Sequence, residues 1–146
     1  MRHTPLHASD RPRPLELALR LIAAAALAVD AYVHADLAPR FDANTATISQ
    51  GDLFRIEAGL AAFAALLVLF VRNRLAPAFA LLVAAGGLAA VLIYHYSDPG
   101  KLGPLPNMYE PVWYTQKTIS AVSQIVATLA CGALLARRQS RTPAPM

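Results

Sequence analysis

Two ionisable residues lie four positions apart inside the first long apolar segment of the sequence. Asp30 and His34 interrupt a run of mainly alanine and leucine that extends over about residues 15–37. Residues four apart share one face of a helix, so the carboxylate and the imidazole would lie side by side. An ionisable residue within a membrane-length apolar segment is costly and is a candidate for function. This pair is therefore the first place to look for chemistry.

Further polar residues lie near one end of each later apolar segment. Glu57 lies near the start of the second segment, and His95 lies near the end of the third. In the fourth, Lys117, Ser120 and Gln124 recur at spacings of three and four, which places them on one helical face. If these faces point inward, the side chains form one polar cluster. We predict that the cluster consists of Asp30, His34, Arg55, Glu57, His95, Glu110, Lys117 and Gln124.

Such a cluster has two general interpretations. Ion pairs and hydrogen bonds between helices would fix their packing, since each interhelical polar contact in a membrane contributes roughly 0.5–2 kcal/mol. Alternatively, the side chains line a pocket that opens outward and binds a small ligand, a lipid or a partner membrane protein. We predict this binding role, without enzymatic activity, and leave the structural interpretation open.

Three more specific hypotheses compete with simple binding. His34, His95, Asp30 and Glu57 are candidate metal ligands, because imidazole and carboxylate suit zinc, iron or copper. His34 and His95 are also candidate axial ligands of a haem, which would make the protein a redox component. A small transporter acting as a dimer, with proton coupling through Glu57 or Asp30, is the third hypothesis. Apart from metal or haem, the sequence indicates no cofactor.

Four apolar segments must position these residues. The chain has 146 residues, of which 56% are hydrophobic and 15% charged, a composition typical of a membrane protein. The predicted helices cover about 15–37, 53–71, 76–96 and 118–136, each close to the length of about 20 residues that spans a bilayer. The sequence therefore predicts an all-α, four-helix transmembrane bundle with up-down-up-down order. The tails, residues 1–14 and 137–146, are predicted to be disordered because they are rich in Pro, Arg, Ser and Thr.

The basic residues predict the orientation of this bundle. Most of the 13 Lys and Arg residues lie in the N-terminal part, in the C-terminal tail and in the short link that contains Arg72 and Arg74. By the positive-inside rule, both termini and this link are cytoplasmic. The polar cluster then lies at the outer face of the membrane.

Several other classes of function are excluded or disfavoured. The net charge of +4 is not gathered on a basic face with interleaved aromatic residues, so nucleic-acid binding is rejected. Cys131 is the only cysteine, which excludes an internal disulfide and a cysteine-based metal site within one chain. The motifs of serine hydrolases, zinc proteases, P-loops and dinucleotide-binding folds are also absent.

Small residues in the third segment permit close helix packing. Ala85 and Ala89, and likewise Gly86 and Ala90, are four apart, a spacing that lets a neighbouring helix approach closely. That helix belongs either to the same chain or to a second copy. A homodimer or a larger membrane complex is therefore an open prediction, besides the lipid bilayer itself.

Two segments carry a resemblance to known membrane proteins. The strings GDLFRIEAG (residues 51–59) and GPLPNMYEPVWY (residues 103–114) resemble segments of small four-helix membrane proteins of high-GC actinobacteria. In size and topology the chain is also broadly similar to the DoxX-like membrane proteins. The resemblance implies a bacterial plasma-membrane location, but it assigns no activity and no functional residues.

Overall fold

The computed structural model describes residues 14–139, which form four long helices. These are α1 (Pro14–Leu37), α2 (Gln50–Phe70), α3 (Leu75–Tyr96) and α4 (Thr115–Gln139), and a 3-10 turn at Ala38–Phe41 extends α1. The described residues contain no strand, and each helix is long and apolar enough to cross a membrane. The predicted all-α, four-helix fold is confirmed. The predicted disordered tails lie outside the described residues, except for Pro14 and residues 137–139. There the prediction is wrong, because these residues belong to α1 and α4.

Local capping explains where two of the helices begin. The Ser49 hydroxyl accepts a hydrogen bond from the Asp52 N–H at 2.9 Å, so α2 starts at Gln50, ahead of the predicted start at residue 53. At α3, the Asn73 side-chain oxygen accepts from the Ala76 N–H at 3.0 Å. Pro77 is tolerated in this first turn, where a helix needs no N–H from it.

The helices form a ring in which α1 and α3 each pack against both α2 and α4. Alanine dominates the buried core, so the helix backbones approach closely. Large apolar side chains point outward instead, and more than half of the surface of Leu21, Phe63, Leu82 and Leu129 is exposed. A water-soluble bundle would bury such residues. The distribution is that of a bundle surrounded by lipid, in keeping with a multi-pass membrane protein.

A buried arginine holds the start of α1 against the end of α2. Arg20 is 2% exposed, and its guanidinium donates to the backbone oxygens of Val68 at 2.6 Å and Val71 at 3.1 Å. It also pairs with Glu16 at 3.3 Å. The last carbonyls of a helix have no partner within the helix and carry a partial negative charge, which a cation satisfies. We name these contacts the Arg20 cap.

The two long connections between helices contact each other at one end of the bundle. The N–H groups of Thr47 and Ile48 both donate to the backbone oxygen of Pro104 at 3.1 Å. The Asn44 side chain donates to the backbone oxygen of Asn107 at 2.8 Å. Residues 42–49 and 97–114 thus form one joint cover, which we name the loop cover. The candidate site lies beneath it.

Candidate functional site

A buried trio of side chains joins α1 to α4. Asp30 is 1% exposed, and its Oδ1 accepts from the Ser120 hydroxyl at 2.7 Å and lies 3.3 Å from His34 Nδ1. His34 Nδ1 also lies 3.0 Å from the backbone oxygen of Asp30. Because both neighbours of Nδ1 are acceptors, this nitrogen carries a proton. The second nitrogen, Nε2, then either accepts a hydrogen bond or binds a further proton.

A glycine on α3 allows polar side chains of α2 and α4 to approach the helix backbone closely. A Cβ atom on Gly87 would lie 2.5 Å from Gln124 Nε2 and 2.8 Å from Glu57 Oε1. Gln124 is 1% exposed, and neither its amide atoms nor Glu57 Oε1 has a hydrogen-bond partner within residues 14–139. Leaving a buried polar group unpaired costs about 1–3 kcal/mol. We name this place the Gly87 gap, where the side chains of Gln124 and Glu57 fill the room that a Cβ atom would need. It brings together buried polar atoms that lack a partner within residues 14–139.

A second group of contacts fixes the loop cover to α3 and α4. The Lys117 ammonium donates to the backbone oxygens of Glu110 and Val112, and it lies 3.3 Å from His95 Nδ1. It also lies 5.3 Å from the ring centre of Trp113, within the range of a cation–π contact. His95 packs against Trp113 with ring centres 4.4 Å apart. We name this group the Lys117 anchor, because its charge is used to hold backbone carbonyls of the loop cover.

Arg55 lies on the outer surface rather than inside the bundle. Its guanidinium donates one hydrogen bond to each carboxylate oxygen of Asp42, at 2.7 and 2.8 Å, and a third to Asp52 at 3.2 Å. These hydrogen bonds, with the positive charge, hold the pKa of Asp42 below its ordinary value. The pair tethers the start of the loop cover to the first turn of α2.

A cavity of about 380 Å³ lies between the Gly87 gap and the loop cover. This volume is within the range of sites that hold small organic molecules. Most of its wall is apolar or aromatic, and Glu57, His34, Ser120 and Lys117 add polar groups. Tyr114 lies at the rim, where burial raises the pKa of its hydroxyl and keeps that group neutral. The aromatic and apolar side chains of the wall include Phe41, Phe54, Leu105, Met108 and Tyr94.

The residues of the predicted cluster either line the cavity, contact a residue that lines it, or lie on the surface. The cavity-lining residues are His34, Glu57, Glu110 and Lys117. Asp30 supports His34, Gln124 lies beside Gly87, and His95 contacts Lys117. Arg55 is on the exposed surface.

Sequence reasoning missed two contributors to the site. Gly87 was not predicted to contribute to a site, and the aromatic wall formed by Phe41 and Phe54 has no signature beyond the apolar pattern.

The predicted metal and haem ligands belong to two separate sets of contacts. Asp30, His34 and Glu57 influence one another electrostatically, whereas His95 Nδ1 faces Lys117 and the backbone oxygen of Glu110. Within residues 14–139, no group of three or more His, Cys, Asp and Glu side chains is arranged to hold a metal ion. The metal and haem hypotheses stay predictions without a ligand set in this part of the chain.

Comparison with known proteins adds no relative. No protein-family model matches the chain, and no curated protein or solved structure is similar enough to show a relationship. The function must therefore be argued from the site itself.

Proposed function

We propose that this chain is a multi-pass protein of a bacterial plasma membrane that binds a small amphipathic molecule in the cavity beneath the loop cover. The observation that carries the proposal is the cavity itself, which combines an apolar, aromatic wall with a few polar groups, among them Glu57. Pockets with a mainly apolar lining and a few converging polar groups are the usual form of small-molecule sites.

The packing below the cavity supports binding rather than conduction. Ala61, Ala84, Ala127 and Leu134 are at most 1% exposed, so the part of the bundle away from the loop cover is tightly closed. A through-path for a transported ion would have to open this core. The cavity is thus better suited to holding a molecule than to passing one across the membrane.

We further propose that the loop cover faces the outside and that both termini are cytoplasmic. Arg72 and Arg74 lie in the exposed link between α2 and α3, and basic residues at such links favour the cytoplasmic side. Tyr109 and Trp113 are each 42% exposed in the loop cover, as expected of aromatic residues at a membrane interface. On α3, Gly86 and Ala89 are exposed and do not line the cavity, which is compatible with close packing of a second copy.

The proposed orientation is tested by labelling two matched asparagines. Asn107 in the loop cover and Asn73 in the α2–α3 link are both exposed, and each is replaced in turn by cysteine. In intact cells, a membrane-impermeant thiol reagent should label Asn107→Cys and not Asn73→Cys. The native Cys131 is buried and serves as the unreactive background. Labelling of the Asn73 variant alone would reverse the orientation.

The binding role is tested by filling the cavity. The purified chain is heated with a panel of small amphipathic amines, alcohols and acids, because a ligand that binds the folded state raises the melting temperature. At least one compound should do so in a saturable way. Ala90→Leu, at the cavity wall, should abolish the effect. Ala89→Leu, on the neighbouring position outside the lining, should retain it. A shift that survives Ala90→Leu would contradict binding in this cavity, and so would a panel without any shift.

A further inference from the structure

We propose that the molecule bound in the cavity is a single-chain membrane lipid, which enters from the bilayer through an opening between α2 and α3. This inference rests on the proposed function, because it requires that the cavity binds an amphipathic molecule. It goes further by naming the class of that molecule and the side of the bundle from which it enters. The head group lies under the loop cover, and the alkyl chain extends between the two helices into the lipid.

The wall of the cavity reaches the outer surface of the bundle between α2 and α3. Ile56 on α2 and Ala90 on α3 both line the cavity, and both are exposed. Ile56 keeps 54% of its surface exposed. The lining residues that α1 and α4 contribute are all buried instead, among them Leu37 and Ser120. The exposed part of the wall therefore lies on the side of α2 and α3.

Ile56 and Ala90 also lie on helix faces that point towards lipid. Leu60 and Phe63 follow Ile56 at spacings of four and seven, so the three residues share one face of α2. Both are exposed, large and apolar, and neither lines the cavity. On α3, the exposed Ile93 follows Ala90 by three positions and is likewise outside the lining. The opening between Ile56 and Ala90 therefore leads into the bilayer.

The opening lies at the depth of the alkyl chains of a bilayer. Ile56 is six positions after Gln50, the first residue of α2, and Ala90 is six positions before Tyr96, the last residue of α3. At 1.5 Å per residue, each lies about 9 Å from the end of its helix next to the loop cover. With 21 residues, α2 is about as long as the hydrocarbon core of about 30 Å is thick. A molecule that passes between Ile56 and Ala90 thus comes from the hydrocarbon.

The contact between α2 and α3 is closed on the side of the α2–α3 link. Phe63 and Phe79 pack there with their ring centres 5.8 Å apart, and residues 71–74 join the two helices. Next to the loop cover, the small residues Gly87 and Ala90 form part of the wall and take up little room. An alkyl chain can therefore lie between the helices only in the half of the membrane next to the loop cover.

The polarity of the wall determines how the lipid is oriented. His34, Ser120 and Lys117 are buried and add polar groups from α1 and α4, which lie across the ring from the opening. The two residues at the opening, Ile56 and Ala90, are apolar. A head group therefore points inward and a chain points towards the bilayer. The cavity of about 380 Å³ is near the lower end of the usual range for ligand sites, so it suits one small head group and part of one chain rather than a diacyl phospholipid.

The test compares two alcohols that share a head group and differ in chain length. Hexanol is small enough to be enclosed by the cavity, whereas hexadecanol is too long for a closed cavity and fits only if its chain extends through an opening. The full-length protein is placed in nanodiscs of phosphatidylcholine, and its melting temperature is measured against the mole fraction of alcohol in the bilayer. Both alcohols should raise the melting temperature in a saturable way, and hexadecanol should bind at least as tightly as hexanol.

Two tryptophan variants of α2 provide the matched control. Ile56→Trp narrows the opening and should lower the affinity for hexadecanol about tenfold while leaving that for hexanol nearly unchanged. Leu60→Trp lies one turn further along the same face and outside the lining, so it should bind both alcohols as the wild type does. Because both positions are exposed, neither substitution should disturb the core.

The outcomes separate the two proposals. Binding of hexanol without binding of hexadecanol would overturn the lipid inference and leave the proposed function intact. The inference would also be overturned if Ile56→Trp and Leu60→Trp bound hexadecanol equally well. If neither alcohol binds and the wider panel of amphipathic compounds is also inert, the proposed function fails, and the lipid inference fails with it.

Discussion

Two buried polar side chains, Arg20 and Gln124, lie in the same bundle and differ in what surrounds them. Arg20 carries a full charge, yet it donates to two backbone oxygens and pairs with Glu16. Gln124 is neutral and equally buried, yet its amide has no hydrogen-bond partner within residues 14–139. In a lipid environment the charge should be the costlier group to bury. The comparison teaches that partners, rather than burial or charge, separate a structural polar residue from a candidate binding residue.

Lys117 resembles Arg20, because its charged group is buried with partners. Its ammonium contacts backbone oxygens and an imidazole, so the charge holds the loop cover in place. The Gly87 gap lies beside the same cavity, and its buried polar atoms have no partner within residues 14–139. We therefore expect substitutions at Arg20 and Lys117 to destabilise the fold, and replacement of Gln124 by an apolar residue not to destabilise it.

The largest effect should come from the Arg20 cap. Arg20→Met keeps an apolar stem and removes the donors to Val68 and Val71, so the end of α2 loses its partner. We expect a loss of about 3 kcal/mol in the free energy of unfolding, since hydrogen bonds from a charged group contribute roughly 1.5–3 kcal/mol each. Denaturant unfolding in detergent measures it. Arg74→Met, at an exposed position in the α2–α3 link, is the control and should change stability little. Equal effects of the two variants would contradict the cap.

A smaller loss should follow from Lys117→Met. This change leaves the loop cover without its cationic anchor, and we expect about 1–2 kcal/mol of destabilisation. Hydrogen exchange should also rise in residues 97–114 while the core of α1 stays protected. The control is Lys101→Met, at an exposed position in the same loop cover. Unchanged exchange in the loop cover of the Lys117 variant would show that the anchor does not hold it.

Gln124→Leu should raise the free energy of unfolding rather than lower it. The amide is buried without a partner in the described residues, so its replacement by an apolar group removes a desolvation cost. We expect the ligand-free protein to gain about 1 kcal/mol of stability. Denaturant unfolding without ligand measures this gain. A clear loss of stability would mean that Gln124 is as well satisfied as Arg20, and would remove the contrast between them.

The smallest effect concerns the surface pair of Asp42 and Arg55. Arg55 lowers the pKa of Asp42 below its ordinary value of 3.8. Because the pKa of Asp42 is lower in the folded state, the pair stabilises the fold at pH values above the unfolded-state pKa. This stabilisation is lost as the pH falls through the folded-state pKa. Arg55→Ala should return the pKa of Asp42 towards the ordinary value, as measured by NMR titration of the carboxyl carbon. The exposed pair contributes little to stability. A pKa that stays low without Arg55 would assign the effect to another group.

The fold could be predicted from the sequence because it depends on patterns that are local in the chain. Segment length and apolarity predicted four helices, but not the start of α2 at Gln50, which depends on the Ser49 cap. The Arg20 cap could not be predicted, since its partners are backbone oxygens 48 and 51 residues away. Backbone acceptors have no residue-type signature.

The site was predicted in part, for a related reason. Residue type and spacing identified the polar residues. Which of them line the cavity, however, depends on how the loop cover folds back onto Lys117. The Gly87 gap requires the positions of α2, α3 and α4 together. A glycine in an alanine-rich helix gives no sign in sequence of which side chains would meet its missing Cβ.

The most direct test of the central claim is the thermal shift that small amphipathic compounds produce in the wild type and in the two alanine variants of α3. We predict a saturable rise in melting temperature for the wild type and for Ala89→Leu, and a strongly reduced rise for Ala90→Leu, whose side chain lines the cavity. Equal shifts in all three proteins would contradict the claim that the ligand binds in the cavity beneath the loop cover.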